Sequence, residues 1–166
     1  MWLRNTIVRH RLLQEEAATD TDLYDQLAEC LTSLMKRYRV TFLPVMDQLM
    51  PGVLPMLAEG AGKHHADTAD ERRFALCLFD DIIEHCNEGG AAHRYLESFL
   101  PHVLRCCGHK DADVRQAAVY GLGVVAQHGG DAVAPHVPQV RNPPTPACCL
   151  RCPMGVCLCV RLLSGV

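Results

Sequence analysis

The sequence predicts an all-α protein, a short α-solenoid built from antiparallel helix pairs. Five segments carry apolar residues at spacings of three and four, while no stretch before residue 140 shows the strict alternation of a half-buried strand. The segments also repeat. Leu49-Met-Pro-Gly-Val-Leu54 aligns with Phe99-Leu-Pro-His-Val-Leu104 fifty residues later, and Arg73, Ala75 and Ile83 align with Arg115, Ala117 and Val125 forty-two residues later. Periods of roughly 40 to 50 residues with two helices per unit mark arrays in which each pair buries its apolar face against the next. A plain helical bundle is the alternative, but it requires no internal spacing of this kind.

The first helix is expected over residues 22–38. Leu23, Leu27, Cys30, Leu31, Leu34, Met35 and Tyr38 form its apolar stripe, and Asp20, Thr21 or Asp22 would supply the N-cap. The second spans about 43–58, with Pro44 in its first turn and Pro51 and Pro55 placed to kink it. A loop from Glu59 to Asp70, containing Gly60, Gly62, His64 and His65, leads to a third helix over 71–87. Its run Phe74-Ala-Leu-Cys-Leu-Phe79 is apolar all round, as in a helix buried on several sides. Gly89-Gly90 ends it. The fourth, over 93–107, turns Tyr95, Leu96, Phe99, Leu100, Val103, Leu104 and Cys107 inward, with Pro101 in the position of Pro51. The fifth, over 113–127, follows a cap at Asp111, carries Val114, Ala118, Leu122 and Val125 inward, and ends at His128-Gly129-Gly130. Helices 43–58 and 93–107 are expected on the concave face and the other three on the convex face.

The 166 residues carry a formal net charge of −3, with 49% hydrophobic, 21% charged and 5% aromatic residues. There is no basic surplus and no basic stripe interleaved with aromatics, which argues against nucleic-acid binding. The start, Met1-Trp-Leu-Arg4 followed by Arg9, His10 and Arg11, lacks the apolar core of a signal peptide. The most apolar stretch, 147–166, is broken by Arg151, Pro153 and Arg161, so no membrane insertion is expected. A reducing compartment with free thiols follows as the default for the ten cysteines. Composition changes after Asp131, the last acidic residue: the remaining thirty-five residues hold six of the ten prolines and five of the ten cysteines. Three parts are therefore expected: an unassigned segment at 1–19, a repeat array at 20–140, and a Pro/Cys-rich tail at 141–166 that is non-helical or disordered.

Few residues point to chemistry. Asp80, Asp81 and Glu84 form an acidic group on the third helix. Asp80 and Glu84 lie four residues apart and share a face, so the group reads either as a solvated stripe of ion pairs or as a contact for basic partners. General acid–base catalysis would need a nucleophile or metal that the sequence does not supply. Gly121-Leu-Gly-Val-Val-Ala126 matches a dinucleotide fingerprint but lies inside a helix, where glycine serves close helix packing instead. Cys106-Cys107-Gly-His109 and the cluster Cys148, Cys149, Cys152, Cys157 and Cys159 lack the paired knuckles of a zinc site. His85-Cys86 has no third group to orient the imidazole. Only three serines exist, none in G-x-S-x-G. No catalytic residue, cofactor or metal is expected.

A family resemblance rests on Phe79-Asp-Asp-Ile-Ile-Glu-His-Cys86 and on the run from Asp113-Val-Arg-Gln-Ala-Ala-Val-Tyr-Gly-Leu-Gly to Gly129-Gly-Asp131. Both resemble late HEAT repeats of the importin-beta superfamily, especially the importin-five branch, also called karyopherin beta three. Tyr38-Arg-Val-Thr-Phe-Leu-Pro44 through Leu49-Met-Pro51 is similar to the second helix of such a repeat. The resemblance covers about 20–140 and gives way at Arg141-Asn-Pro-Pro. It implies about two and a half HEAT repeats from the C-terminal third of a nuclear transport receptor. Such a receptor is not an enzyme: it binds protein cargo, nucleoporin repeats and the Ran GTPase, and works in cytoplasm and nucleus. It also implies a structural ladder through Arg73, Asp113 and Arg115, with Asp70 or Glu71 as the acid preceding Arg73. The alternative is a HEAT scaffold or assembly protein outside transport. Cut at both ends, the array is expected to be marginal or to self-associate.

Overall fold

The computed structural model describes residues 2–58 and 69–138, with side chains from Asp20 onward. The described residues form helices and short 3-10 segments, with no strand among them. Helix α1 spans Trp2–Tyr38, α2 Leu43–Met56, α3 Ala69–Cys86, α4 Ala91–Cys106 and α5 Ala112–His128. Short 3-10 turns at Arg39–Phe42 and Asn87–Gly89 join α1 to α2 and α3 to α4, and another at Gly130–His136 follows α5. Helices α1, α3 and α5 pack side by side in one layer, while α2 and α4 form the other. This is the layering expected of stacked helix pairs, with α3 at its centre against all four other helices.

Local sequence explains the boundaries. Asp111 caps α5, its Oδ1 accepting from the backbone N–H of Asp113 (2.9 Å) and Val114 (3.2 Å). Gly90 adopts φ 77°, a left-handed conformation that costs glycine little, and lets the chain reverse into α4. Asn87 joins three helices: its Oδ1 accepts from the N–H of Ala92 in the first turn of α4 (3.1 Å), and its Nδ2 donates to the carbonyl of His128 at the end of α5. Helices α2 and α4 continue through Pro51, Pro55 and Pro101.

The core runs through both layers. Phe74, Ala75, Leu76, Leu78 and Phe79 are all buried, as the apolar run in α3 predicts, and the Phe79 ring stacks on Phe99 of α4 (centroids 4.7 Å apart, planes 13° apart). The inward faces expected for α4 and α5 are buried throughout.

Helix α1 departs from expectation twice. It begins at Trp2 and passes through Asp20, Thr21 and Asp22, so none of these is an N-cap. Its apolar stripe is also only partly covered. Met35 is fully buried, and Tyr24, Ala28 and Leu31 pack against the core, but Leu23, Leu27, Cys30, Leu34 and Tyr38 are exposed. The physical reason is that α1 is the outermost helix of its layer. Among the described residues it has a neighbouring helix of that layer, α3, on one side only, and nothing described covers the residues turned about 100° from that contact.

The loop with His64 and His65, the Arg141–Ala147 break and the cysteines from Cys148 onward lie outside the described residues.

Candidate functional site

The acidic group of α3 occupies the seam between the helix pairs. Asp80 is 3% exposed, so it belongs neither to a solvated stripe nor to a partner surface, and the expectation for this residue is corrected. Its side chain points at α5, where Gly121 leaves room for it. A Cβ at position 121 would lie 2.3 Å from Asp80 Oδ1, a separation no real contact reaches. The close-packing role expected of the glycine pair is thus borne by Gly121, and what it admits is a carboxyl group. Among the described residues, Oδ1 of Asp80 has no hydrogen-bond partner. Burial, then the charges of Asp81 and Glu84, push its carboxyl well above the usual carboxylate range.

The two neighbouring acids are half-buried and engaged. Asp81 accepts from the Thr32 hydroxyl of α1 and lies 3.8 Å from His85 Nε2 one turn along. Burial raises its carboxyl, opposed by the Thr32 hydrogen bond, His85 and Lys36. Glu84 accepts from the Tyr120 hydroxyl of α5 (3.3 Å). The three acids therefore face α1 and α5 on either side of α3. Spacing alone could group them but could not show that Asp81 meets α1 while Asp80 and Glu84 meet α5.

A series of polar pairs joins α1 to α3. Thr21 donates to Asp70 (2.9 Å), Tyr24 to Glu71 (3.2 Å) and Arg73 to Asp25 (2.7 Å), and beyond the helix end Arg39 pairs with Glu88 (3.1 Å). With Thr32–Asp81, these partners stand 47 to 49 residues apart, close to the fifty-residue spacing of the proline-bearing helices. In the other layer, Asp47 of α2 receives Tyr95 (2.8 Å) and Arg94 of α4. These partners were missed in the sequence because a polar residue inside a helix gives no local sign of its contact. Tested against the fifty-residue repeat, they would have stood out.

Arg73 sits where a rung of the expected ladder would, and its shorter contact is to Asp25 of α1 rather than to Asp70, which is 3.8 Å away. Arg115 departs from the pattern. Its Nη1 donates to the carbonyls of His109 (2.8 Å) and Lys110 (2.9 Å), closing the turn between α4 and α5. Asp113 is exposed, and its backbone N–H bonds the Asp111 cap. The carbonyls of His109 and Lys110, in the turn just before α5, lie within reach of Arg115 and take its guanidinium in place of an acid of α3.

The described cysteines are held as thiols. Burial pushes the Cys86 thiol up to about 11, and burial with Asp80 and Asp81 does the same for Cys77, so both stay protonated near neutrality. Cys106 and Cys107 are buried helix-packing residues. Among the described residues no His, Cys, Asp and Glu cluster is arranged to hold a metal, and no helix is long and apolar enough to cross a membrane.

Comparison with known proteins places this arrangement. Residues 8–59 match the importin repeat 6 family, and residues 99–129 match the HEAT repeat family. Importin subunit beta-3 of Saccharomyces cerevisiae is 28% identical over 121 residues, covering 73% of this chain and 10% of that protein. Importin-4 of Homo sapiens is 30% identical over 89 residues, 54% of this chain and 8% of that protein. A probable importin-5 homolog of Dictyostelium discoideum is 24% identical over 115 residues, 69% and 10%. The chain is HEAT-repeat sequence of the importin-beta superfamily. It spans about a tenth of the length of these importins. The importin repeat begins at residue 8, inside the segment left unassigned in the sequence, and α1 explains why: the first helix of that repeat extends well upstream of residue 20. Two of the matched names, beta-3 and importin-5, belong to the branch the sequence resembles.

Proposed function

We propose that this chain is part of a nuclear import receptor: a protein-binding, non-enzymatic HEAT array that carries protein cargo through the nuclear pore in a Ran-dependent cycle, working in cytoplasm and nucleus. The observation that carries the reading is the importin repeat match over α1 and α2, continued in the same packed array by a HEAT repeat match over the end of α4 and α5.

Within the array, the layer formed by α2 and α4 is the surface proposed for partners. Val45, Gln48, Pro51 and Pro55 on α2, and His93, Glu97 and Pro101 on α4, are exposed. In the other layer Asp81 and Glu84 are occupied by Thr32 and Tyr120, so a partner would have to displace those bonds to reach them. Glu84, at the more exposed of the two contacts, is the acid left for a basic cargo segment. The exposed stripe Leu23, Leu27 and Leu34 on α1 supports a further proposal, that the chain by itself self-associates through this face.

The test is a pull-down with the receptor that contains this sequence, on immobilised phenylalanine-glycine nucleoporin repeats and on Ran loaded with GTP. Retention on both supports the transport reading. Loss of both favours a scaffold outside transport.

A further inference from the structure

We propose that Asp80 and Gly121 form a proton-responsive hinge between the second and third helix pairs: the α3–α5 seam closes over a neutral Asp80 carboxyl and opens when that carboxyl ionises.

The geometry has three parts. The first is confinement. Asp80 is buried, and the space before Oδ1 is bounded by the α5 backbone at Gly121, where not even a methyl group fits. The second is the lack of a donor. Among the described residues Oδ1 is without a hydrogen-bond partner, and a buried carboxylate in that condition carries a desolvation penalty that the neutral acid largely avoids. The third is the surrounding charge. On α3 itself Asp80 is flanked by Cys77, Asp81 and Glu84, and from α5 it is met by Tyr120. The charges that act on it are Asp81 and Glu84, both acidic. The positive groups nearby have other partners: Arg73 bonds Asp25, while Lys36 and His85 act on Asp81. Helix α4 meets α3 through Phe99 on Phe79, which contributes no charge. Ionisation therefore places a negative charge in a closed seam under repulsion from Glu84 and from Asp81 on the same helix, and the direct relief is separation of α5 from α3 to admit water.

The direction of the linkage follows. With the seam closed the carboxyl holds its proton above the ordinary aspartate value of 3.8, and with the seam open it returns toward that value. The closed state thus binds more protons. Closure is favoured at low pH, and opening gains up to about tenfold per pH unit as pH rises between the two values, then levels off above the raised one. Curvature in a solenoid is set by the small rotation between neighbouring units, so opening this seam changes the bend of the array.

Hydrogen–deuterium exchange on the full chain from just above the ordinary aspartate value, about pH 4, to about pH 8.5, corrected for the intrinsic pH dependence of exchange, tests the hinge. Amides of α5 should lose protection relative to those of α1 as pH rises, by up to about tenfold per unit. Asp80→Asn, which keeps shape without a titrating group, should hold α5 protection level. If α5 follows α1 throughout in the wild-type chain, or if Asp80→Asn shows the same fall, the hinge is refuted. If Asp80→Asn does not fold, carbon-13 titration of the Asp80 carboxyl in the wild-type chain decides. Titration displaced upward and coincident with loss of α5 protection supports the hinge, and titration in the ordinary carboxylate range overturns it.

Discussion

A methyl group added at Gly121 should be destabilising only while Asp80 is present. The added Cβ would lie 2.3 Å from Asp80 Oδ1 and 3.2 Å from its Cγ. An unstrained carbon–oxygen contact is about 3.3 Å, so the overlap at Oδ1 is about 1 Å. Asp80 stands mid-helix and is 3% exposed, so the carboxyl has little room to rotate away. Overpacking of this kind costs about 1–3 kcal/mol. Replacing an interior helical glycine by alanine gains about 1 kcal/mol in propensity. Gly121→Ala in the wild-type background should therefore lose up to about 2 kcal/mol, and in an Asp80→Ala background it should gain about 1 kcal/mol. The coupling of about 1–3 kcal/mol is the quantity to measure, by urea denaturation of the four proteins followed by circular dichroism. Additive effects, with coupling below about 0.5 kcal/mol, would refute direct packing of α3 on α5 through this pair.

The same seams predict other outcomes. Phe99→Ala, which removes a fully buried ring stacked on Phe79, should cost about 3–5 kcal/mol in the same assay, a large share of the roughly 5–15 kcal/mol that holds a domain folded. Asn87→Ala should cost about 1–2 kcal/mol and speed exchange at the Ala92 amide, because one side chain bonds both α4 and the end of α5. Arg73→Ala should change stability by less than about 1 kcal/mol, and by less still in high salt, because its pair with Asp25 is partly exposed. With iodoacetamide at about pH 8, exposed Cys30 should be alkylated well before Cys77 and Cys86, whose thiols near 11 leave about one molecule in a thousand ionised. Raising the pH should narrow the difference, and equal labelling at pH 8 would contradict the burial of those thiols.

Sequence periodicity captured what depends on one helix at a time. The inward faces of α4 and α5, the apolar all-round run of α3 and the Asp111 cap follow from spacing and residue type. The two internal repeats were enough to pair the helices. Periodicity could not show which apolar residues find a neighbour. Leu23, Leu27 and Leu34 have the spacing of core residues and are exposed, because coverage depends on what stacks beside α1. Nor could it separate three acids on one helix. Asp80, Asp81 and Glu84 look alike in sequence, yet one is buried against Gly121, one accepts from Thr32 and one from Tyr120. The Arg115 ladder failed for a related reason: the carbonyls of His109 and Lys110 compete for its guanidinium, and backbone acceptors leave no mark in a sequence.

The most direct test of the transport account is cargo accumulation in the nuclei of permeabilised cells supplied with the receptor that contains these repeats. The account predicts that labelled cargo concentrates in nuclei when Ran and GTP are present and stays outside when either is withheld. Failure to accumulate under complete conditions, or accumulation indifferent to Ran, would contradict it.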